Sequence, residues 1–239
     1  MAQRCLLKTI SLAYSSMKSI LDHSFEGIPY GARSMRHFQS LNFNLVQGAR
    51  FATNKTIGYA KYADSTPNLG QYVIAQGSLN QPNFHAFTIA VQGSGISIAI
   101  SDVTTVADFA TKLGIGLGEL ITICAQIQST KNAVAFAWVR FTLPADAAAN
   151  ISEIQVESNL NVEASFDNGV SAVVSVADFG ADTAKGALYT AIRSKYGANG
   201  WMRSKAVLNL VTGTLTYEDE YKAALNTYPT GQEYPLNGS

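Results

Sequence analysis

The residues best suited to partner chemistry lie in the first quarter of the chain. Lys8, Lys18, Arg33, Arg36, Arg50, Lys55 and Lys61 are interleaved with Tyr14, Tyr30, Phe38, Phe43, Phe51, Tyr59 and Tyr62. Cations that neutralise phosphates, beside rings on which bases stack, are the ingredients of single-strand nucleic-acid binding. Lys18, Arg33, Arg36, Arg50, Lys55 and Lys61 are therefore the candidate nucleic-acid-binding residues. The same pattern has a plainer reading: Phe38 falls on an apolar helical stripe, and spaced Lys and Arg are commonly a solvated face. A basic arm would also suit an acidic protein surface, including residues 151–239 of a neighbouring copy.

Other chemistries find less support. Gly114-x-Gly116-x-Gly118 lacks the preceding strand, the correctly spaced third glycine and the following helix of a dinucleotide fingerprint, and no P-loop lysine is present. It reads as a glycine-rich helix-to-strand turn. The histidines, His23, His37 and His85, have no partner at zinc spacing. Asp22, His23 and Glu26 cluster where the first helix should end and read as solvated polar groups. Cys124 sits on an expected strand, facing away from Ile121, Ile123 and Ile127, with no histidine near it in sequence, and reads as a structural thiol. Glu153, Glu157 and Glu163 read as the exposed face of one strand, with Asp167 nearby. No metal, cofactor or catalytic residue is expected, and the chain is not expected to be an enzyme.

The elements that would position these residues follow from periodicity. Leu6, Ile10, Ala13, Met17, Ile20 and Leu21 share one helical face, and Met35, Phe38, Leu41 and Leu45 mark a second helix. The turn-rich stretch from Phe25 to Gly31 joins them. Period-two patterns predict strands at Thr56–Tyr62, Gln71–Gln76, His85–Val91 and Gly95–Ser101, with Gly93-Ser94-Gly95 as a tight turn. Ser101 or Asp102 can cap a helix carrying Val103, Val106, Phe109, Ala110 and Leu113, and Thr105 with Asp108 has capping-box spacing. Gly114 suits its C-terminal stop. Glu119–Gln128 and Ala133–Leu143 should form an antiparallel hairpin. More strands are expected near 153–164 and 169–177. Leu188–Arg193 and Trp201–Leu210 should flank a loop at 196–200. Thr216 should cap a short helix, Tyr217–Leu225.

Composition bounds the class. Charged residues make up only 14% of the 239, against about 25% for an average globular protein. Seventeen basic and seventeen acidic side chains cancel. A net charge near zero removes the repulsion that keeps molecules apart, which favours a subunit over a monomer. Hydrophobic residues at 47% exclude disorder, and no apolar run reaches the roughly 18 residues of a membrane span. Residues 1–65 hold eight Lys and Arg against three Asp and Glu, whereas residues 151–239 hold six against ten, so the chain runs from basic to acidic. Two cysteines, Cys5 and Cys124, are too few for a disulfide framework. With no clear signal peptide, a cytoplasmic or virion location is expected.

The stretches Ala187–Ser194, Trp201-Met202-Arg203-Ser204, Ala223–Gly231 and Leu236-Asn237-Gly238, with Ser24-Phe25-Glu26-Gly27 and Tyr30-Gly31, resemble a pattern in uncharacterised β-rich proteins of Bacteroidetes-type bacteria and their phages or mobile elements. The resemblance covers the two ends of the chain and carries no catalytic residues. It implies a phage-like or mobile-element origin. The expectation is a β-rich α+β protein: an α-helical N-terminal segment (1–50), then an antiparallel β-sandwich-like body (51–239) of one domain or two closely packed halves, with the short C-terminal helix. Its expected function is a non-enzymatic structural subunit of a virion or similar assembly, working with other protein subunits in a homo- or hetero-oligomer. The alternative is nucleic-acid binding by the basic N-terminal region.

Overall fold

The computed structural model describes residues 2–52, 72–92, 95–128, 134–159, 162–167, 171–176 and 187–212. Among these residues the protein is α+β and strand-rich. It has three α-helices, α1 (Ala2–Leu21), α2 (Ala32–Ala52) and α3 (Val106–Leu113). The strands are β1 (Val73–Ala75), β2 (Thr88–Gln92), β3 (Gly95–Ser101), β4 (Leu120–Gln128), β5 (Val134–Thr142), β6 (Gln155–Ser158), β7 (Val162–Asp167), β8 (Ser171–Val176), β9 (Ala187–Gly197), β10 (Gly200–Arg203), β11 (Ala206–Val207) and β12 (Asn209–Thr212). The larger antiparallel sheet has the order β10-β9-β4-β5-β6, with β12 also pairing β9, and the second has the order β2-β3-β8-β7. β1 and β11 form a separate antiparallel pair. β6 lies beside β7 and β12 beside β2, so edges of the two sheets are neighbours. No helix among the described residues is long and apolar enough to cross a membrane.

Alternation along the central strands divides the larger sheet into two buried faces. Ile121, Ile123, Ala125, Ala137, Val139, Phe141, Tyr189 and Ala191 pack with α3 and with Ile98 and Ile100 of β3. Cys124, Phe136, Leu188 and Ile192 face the other way, onto Ile10, Ala13, Met17 and Phe38 of the helical hairpin. Cys124 is a free, fully buried thiol, and that burial pushes its pKa far up, as befits a packing residue.

Thr105 is the N-cap of α3, as the capping-box spacing of Thr105 and Asp108 indicated, and the other candidates, Ser101 and Asp102, lie before it. The Thr105 side chain accepts from the Asp108 amide at 3.2 Å, and the Asp108 carboxylate accepts from the Thr105 amide at 3.0 Å. That reciprocal box satisfies two amides at once, and a cap four residues earlier could not. At the other end Gly114 adopts φ +65°, the left-handed stop.

Three expectations change. Among the side chains of α2 that are described, Ser34, Phe38 and Asn42 are fully buried, while Met35 and Leu41 pack half-buried against the same core, and the Leu45 side chain lies outside the description. The two polar residues are buried because they serve the backbone. Ser34 Oγ donates to the carbonyl of Leu21 at 2.6 Å, and the Asn42 amide both accepts from Val73 N at 2.7 Å and donates to Val73 O at 3.1 Å. The loop at 196–200 shrinks to a two-residue turn, since Tyr196 and Trp201 pair across β9 and β10 and extend the ladder. Glu153, Glu157 and Glu163 do not share a strand. Glu153 caps a short 3-10 turn, Glu157 lies on β6 and Glu163 on β7. The strand Thr56–Tyr62, the glycine turn at 93–94 and the helix Tyr217–Leu225 lie outside the described residues.

Candidate binding face on the larger sheet

Two strands of the larger sheet carry the same three-residue pattern, Trp138-Val139-Arg140 on β5 and Trp201-Met202-Arg203 on β10. A two-residue step keeps each tryptophan and its arginine on one side of the strand. The register places both pairs on the same side of the sheet. Trp138 stands opposite Cys124, Arg140 opposite Thr122 and, one strand on, Ile192, while Arg203 stands opposite Ser194 and Trp201 opposite Tyr196. Cys124 and Ile192 are covered by the helical hairpin, so this is the helix-bearing face.

In each pair the guanidinium lies over the indole, with Arg140 Cζ 5.0 Å and Arg203 Cζ 4.7 Å from the ring centroid. Such cation–π contacts orient the charge without neutralising it. Arg203 donates from Nε to the carbonyl of His23 at 3.0 Å and from Nη1 to that of Met202 at 3.2 Å. Among the described residues no carboxylate is within ion-pair distance of its guanidinium. Arg140 reaches Glu157 only at 3.5 Å, and Glu157 is itself exposed. Burial, and after it the charge of Arg140, lowers the pKa of Arg203. The Glu26 carboxylate acts on it in the opposite sense. The strand spacing of about 4.8 Å puts β5 about 14 Å from β10.

Around these pairs the surface is aromatic. Trp201 (49% exposed) meets Tyr196 (70%) edge to face at 5.4 Å. Beyond Arg203, the His23 ring lies 5.8 Å from that of Tyr30, which is 74% exposed. Tyr30, Tyr196 and Trp201, the most exposed large rings among the described residues, are therefore linked through His23 and Arg203.

Glu26 ties the turn after α1 to Ser78 and to the end of β10 here. Its carboxylate accepts from Ser78 N at 2.8 Å, from Ser78 Oγ at 2.9 Å and from Arg203 N at 3.0 Å. The close fit needs Gly77, where a Cβ would stand 2.2 Å from the carbonyl oxygen of Arg203. The amides of Ser78 and Arg203 hold the Glu26 carboxyl below the ordinary glutamate range. A carboxylate with a lowered folded pKa contributes stability above its unfolded pKa of 4.5, and loses it as pH falls through the folded value. Glu26→Gln should therefore lose less stability than the wild type between about pH 5 and about pH 3. Urea unfolding across that window checks this, and equal losses would contradict it.

The residues singled out in the sequence are mostly elsewhere. Lys18 is exposed but ion-paired to Asp22, which also accepts from the Tyr14 hydroxyl and, at 3.3 Å, from Gly31 N. Asp22 and Glu26 are thus anchors of backbone and side chains, where solvated groups were expected. Arg33 and Arg36 are exposed, one turn apart at the start of α2. Arg50 lies in the last turn of α2, and Lys55 and Lys61 lie outside the described residues. Tyr14 and Phe38 pack on one another in the core at 5.6 Å and present no ring to a base. Trp138, Arg140, Trp201 and Arg203 were missed as a group, although the repeated Trp-x-Arg on strands was a readable signal. The glycine-rich turn follows a helix and precedes a strand, as its sequence indicated. Among the described residues no group of three His, Cys, Asp or Glu side chains is placed to hold a metal ion. No protein-family model matches the chain, and no curated protein matches it.

Proposed function

We propose that this chain is a non-enzymatic structural subunit of a virion or similar assembly, associating with other subunits through the outward surface of its helical hairpin. One observation carries the reading. On α1, Leu7 is 44% exposed, and Ser11 and Ser15 follow it at four-residue steps. Ser11 Oγ donates to Leu7 O at 2.6 Å, and Ser15 Oγ to Ser11 O at 2.9 Å. A surface whose hydroxyls already bond to their own helix loses little when a neighbour excludes water from it. The low charge of the chain favours the same outcome.

The rest of the reading is consistent with this. The two sheets, meeting across Ile98, Ile100, Ile121 and Ile123, are taken as a sandwich-like body on which residues 1–50 ride as a helical cover. Two of the stretches that suggest a phage or mobile-element origin, Ser24–Gly27 and Trp201–Ser204, meet through Glu26 and the Arg203 amide. A cytoplasmic site of assembly, or the particle itself, is the setting.

Sedimentation velocity over rising concentration, with mass photometry of particles from the native host, tests the proposal. Self-association, or recovery within a particle, is expected, and Leu7→Glu should weaken it at least about tenfold by burying a charge. A wild-type chain that stays monomeric and is absent from any particle would overturn it. A second reading, nucleic-acid binding through Lys18, Arg33, Arg36, Arg50, Lys55 and Lys61, draws support from exposed Arg33 and Arg36 near exposed Tyr30.

A further inference from the structure

We propose that Asn199 is a site of spontaneous modification, where the amide of Gly200 attacks the Asn199 carboxamide and converts the tip of the β9–β10 hairpin to aspartate and isoaspartate. The chemistry is self-contained and does not rest on the assembly role. Its first support is the pair of residues itself. Of the asparagines among the described residues, only Asn199 is followed by glycine. A side chain on the following residue hinders attack by its amide, and glycine has none. The space is open as well, since a Cβ built on Gly200 would meet nothing within 4 Å.

The second support is the freedom of the carboxamide. Asn42 bonds to Phe38 O and Val73, Asn83 donates to Lys112 O, and Asn150 accepts from Ser152 N. Asn159 accepts from Trp138 N and donates to Phe136 O. The Asn199 side chain is exposed, and it makes no hydrogen bond among the described residues. The third support is position. Ala198 and Asn199 form the two-residue turn, and Gly197 with Gly200 is the rung that closes it. Attack needs only this last rung to loosen, and the end of a hairpin opens at less cost than a strand interior.

Water is the one co-reactant. Gly200 N bonds to Asn199 Cγ, and the carboxamide nitrogen leaves as ammonia, taking the Gly200 amide proton. Water then opens the ring imide. Cleavage between that nitrogen and Cγ gives aspartate. Cleavage between it and the Asn199 carbonyl carbon gives isoaspartate, with an extra carbon in the main chain. That carbon enters the turn next to the Tyr196–Trp201 rung, whose rings meet edge to face at 5.4 Å. Isoaspartate therefore disturbs the ring pair, whereas aspartate leaves the backbone as it was. Either product adds a negative charge to a chain whose charges cancel.

The test is ageing of the purified full chain in warm, mildly alkaline buffer, followed by peptide mass mapping and labelling with an isoaspartyl methyltransferase. A parallel sample is aged in urea. In the folded chain the peptide holding Asn199 should lose ammonia and gain the label, while those holding Asn42, Asn83, Asn150 and Asn159 stay unchanged. Mapping keeps this peptide apart from Asn168-Gly169 and Asn237-Gly238, which lie outside the described residues. Asn199→Gln should abolish conversion here, because a longer side chain closes its ring less readily, and thermal melts check that it folds like the wild type. Near-ultraviolet circular dichroism should lose part of the ring-pair signal as the wild type ages, but not as Asn199→Gln ages and not in fresh Asn199→Asp. Conversion of Asn199 in urea alone would overturn the proposal, since the folded turn would then protect it. So would conversion in the folded chain no faster than at Asn83 or Asn159. A ring-pair signal unchanged after isoaspartate has formed would overturn the stated effect on Tyr196 and Trp201.

Discussion

Replacing Phe109 with alanine should destabilise the protein by about 3–5 kcal/mol, the range for removing a fully buried aromatic side chain. Phe109 is 0% exposed at the centre of α3, with its ring 6.3 Å from Phe87 and 6.1 Å from Phe141. It therefore joins the helix, the segment leading into β2 and the larger sheet in one contact set. Deleting the ring opens a cavity among elements tied by backbone bonds on every side, which limits how far they can close. The capping box at Thr105 and the stop at Gly114 fix both ends of α3, so the helix cannot slide to fill the space. Urea unfolding should show a lower midpoint with an unchanged m-value. A loss below about 1 kcal/mol would mean that the two sides of this core do not depend on α3.

Glu119→Ala should cost a comparable amount, about 3–5 kcal/mol, for an electrostatic reason. The carboxylate is 1% exposed and accepts from Arg193 Nε at 2.6 Å, from Arg193 Nη2 at 3.0 Å and from Gly116 N at 3.0 Å, with Lys195 Nζ at 3.6 Å. Burial alone would raise its pKa. Arg193, the Gly116 amide and Lys195 outweigh burial and hold it below the usual glutamate value. Removing the carboxylate leaves a mostly buried guanidinium without its partner and releases the glycine-rich turn from the sheet. The double change Glu119→Leu with Arg193→Met should recover much of the loss, because a buried ion pair is replaceable by well-packed apolar groups. If the double variant were less stable than Glu119→Ala, the defect would lie in packing instead. The turn at 114–118 is thus a strut held by a carboxylate, and its glycines serve geometry.

What could be read in advance depended on the range of the interaction. The first three helices, the β2–β3 and β4–β5 pairings and the stop at Gly114 rest on local spacing, and each is present. The apolar side of β3 was equally legible, since Ile98 and Ile100 are both buried. Less legible were polar residues with distant partners. Asn42 completes the hydrogen bonding of Val73, and Ser34 closes the end of α1. Hydrophobic periodicity passes over both. The single strand expected from Trp201 to Leu210 divides into β10, β11 and β12, since Ser204 turns its hydroxyl to accept from Arg193 N at 2.9 Å. Nor did the basic N-terminal cluster show that Tyr14 is needed in the core, whereas the apolar stripe of α2 already placed Phe38 there. The shared face of the two Trp-x-Arg pairs depends on β5 and β10 lying in one sheet, which is set by β4–β9 pairing between residues 60 or more apart.

The seating of the helical hairpin has a consequence for how the chain is made. Its apolar side rests on Leu188 and Ile192 of β9 and on Ala206 and Leu208, and Glu26 closes on the amide of Arg203. During synthesis these helices leave the ribosome well before the part of their ground that lies on β9 and at 206–208. At about 5–20 residues per second, about 10–40 s separate the two events. Through that interval Ile10, Met17, Leu21 and Phe38 lack the β9 side of their cover, with only the earlier ground of β1, β4 and β5 made to meet them. The nascent protein depends on helper proteins or on speed to avoid premature clumping.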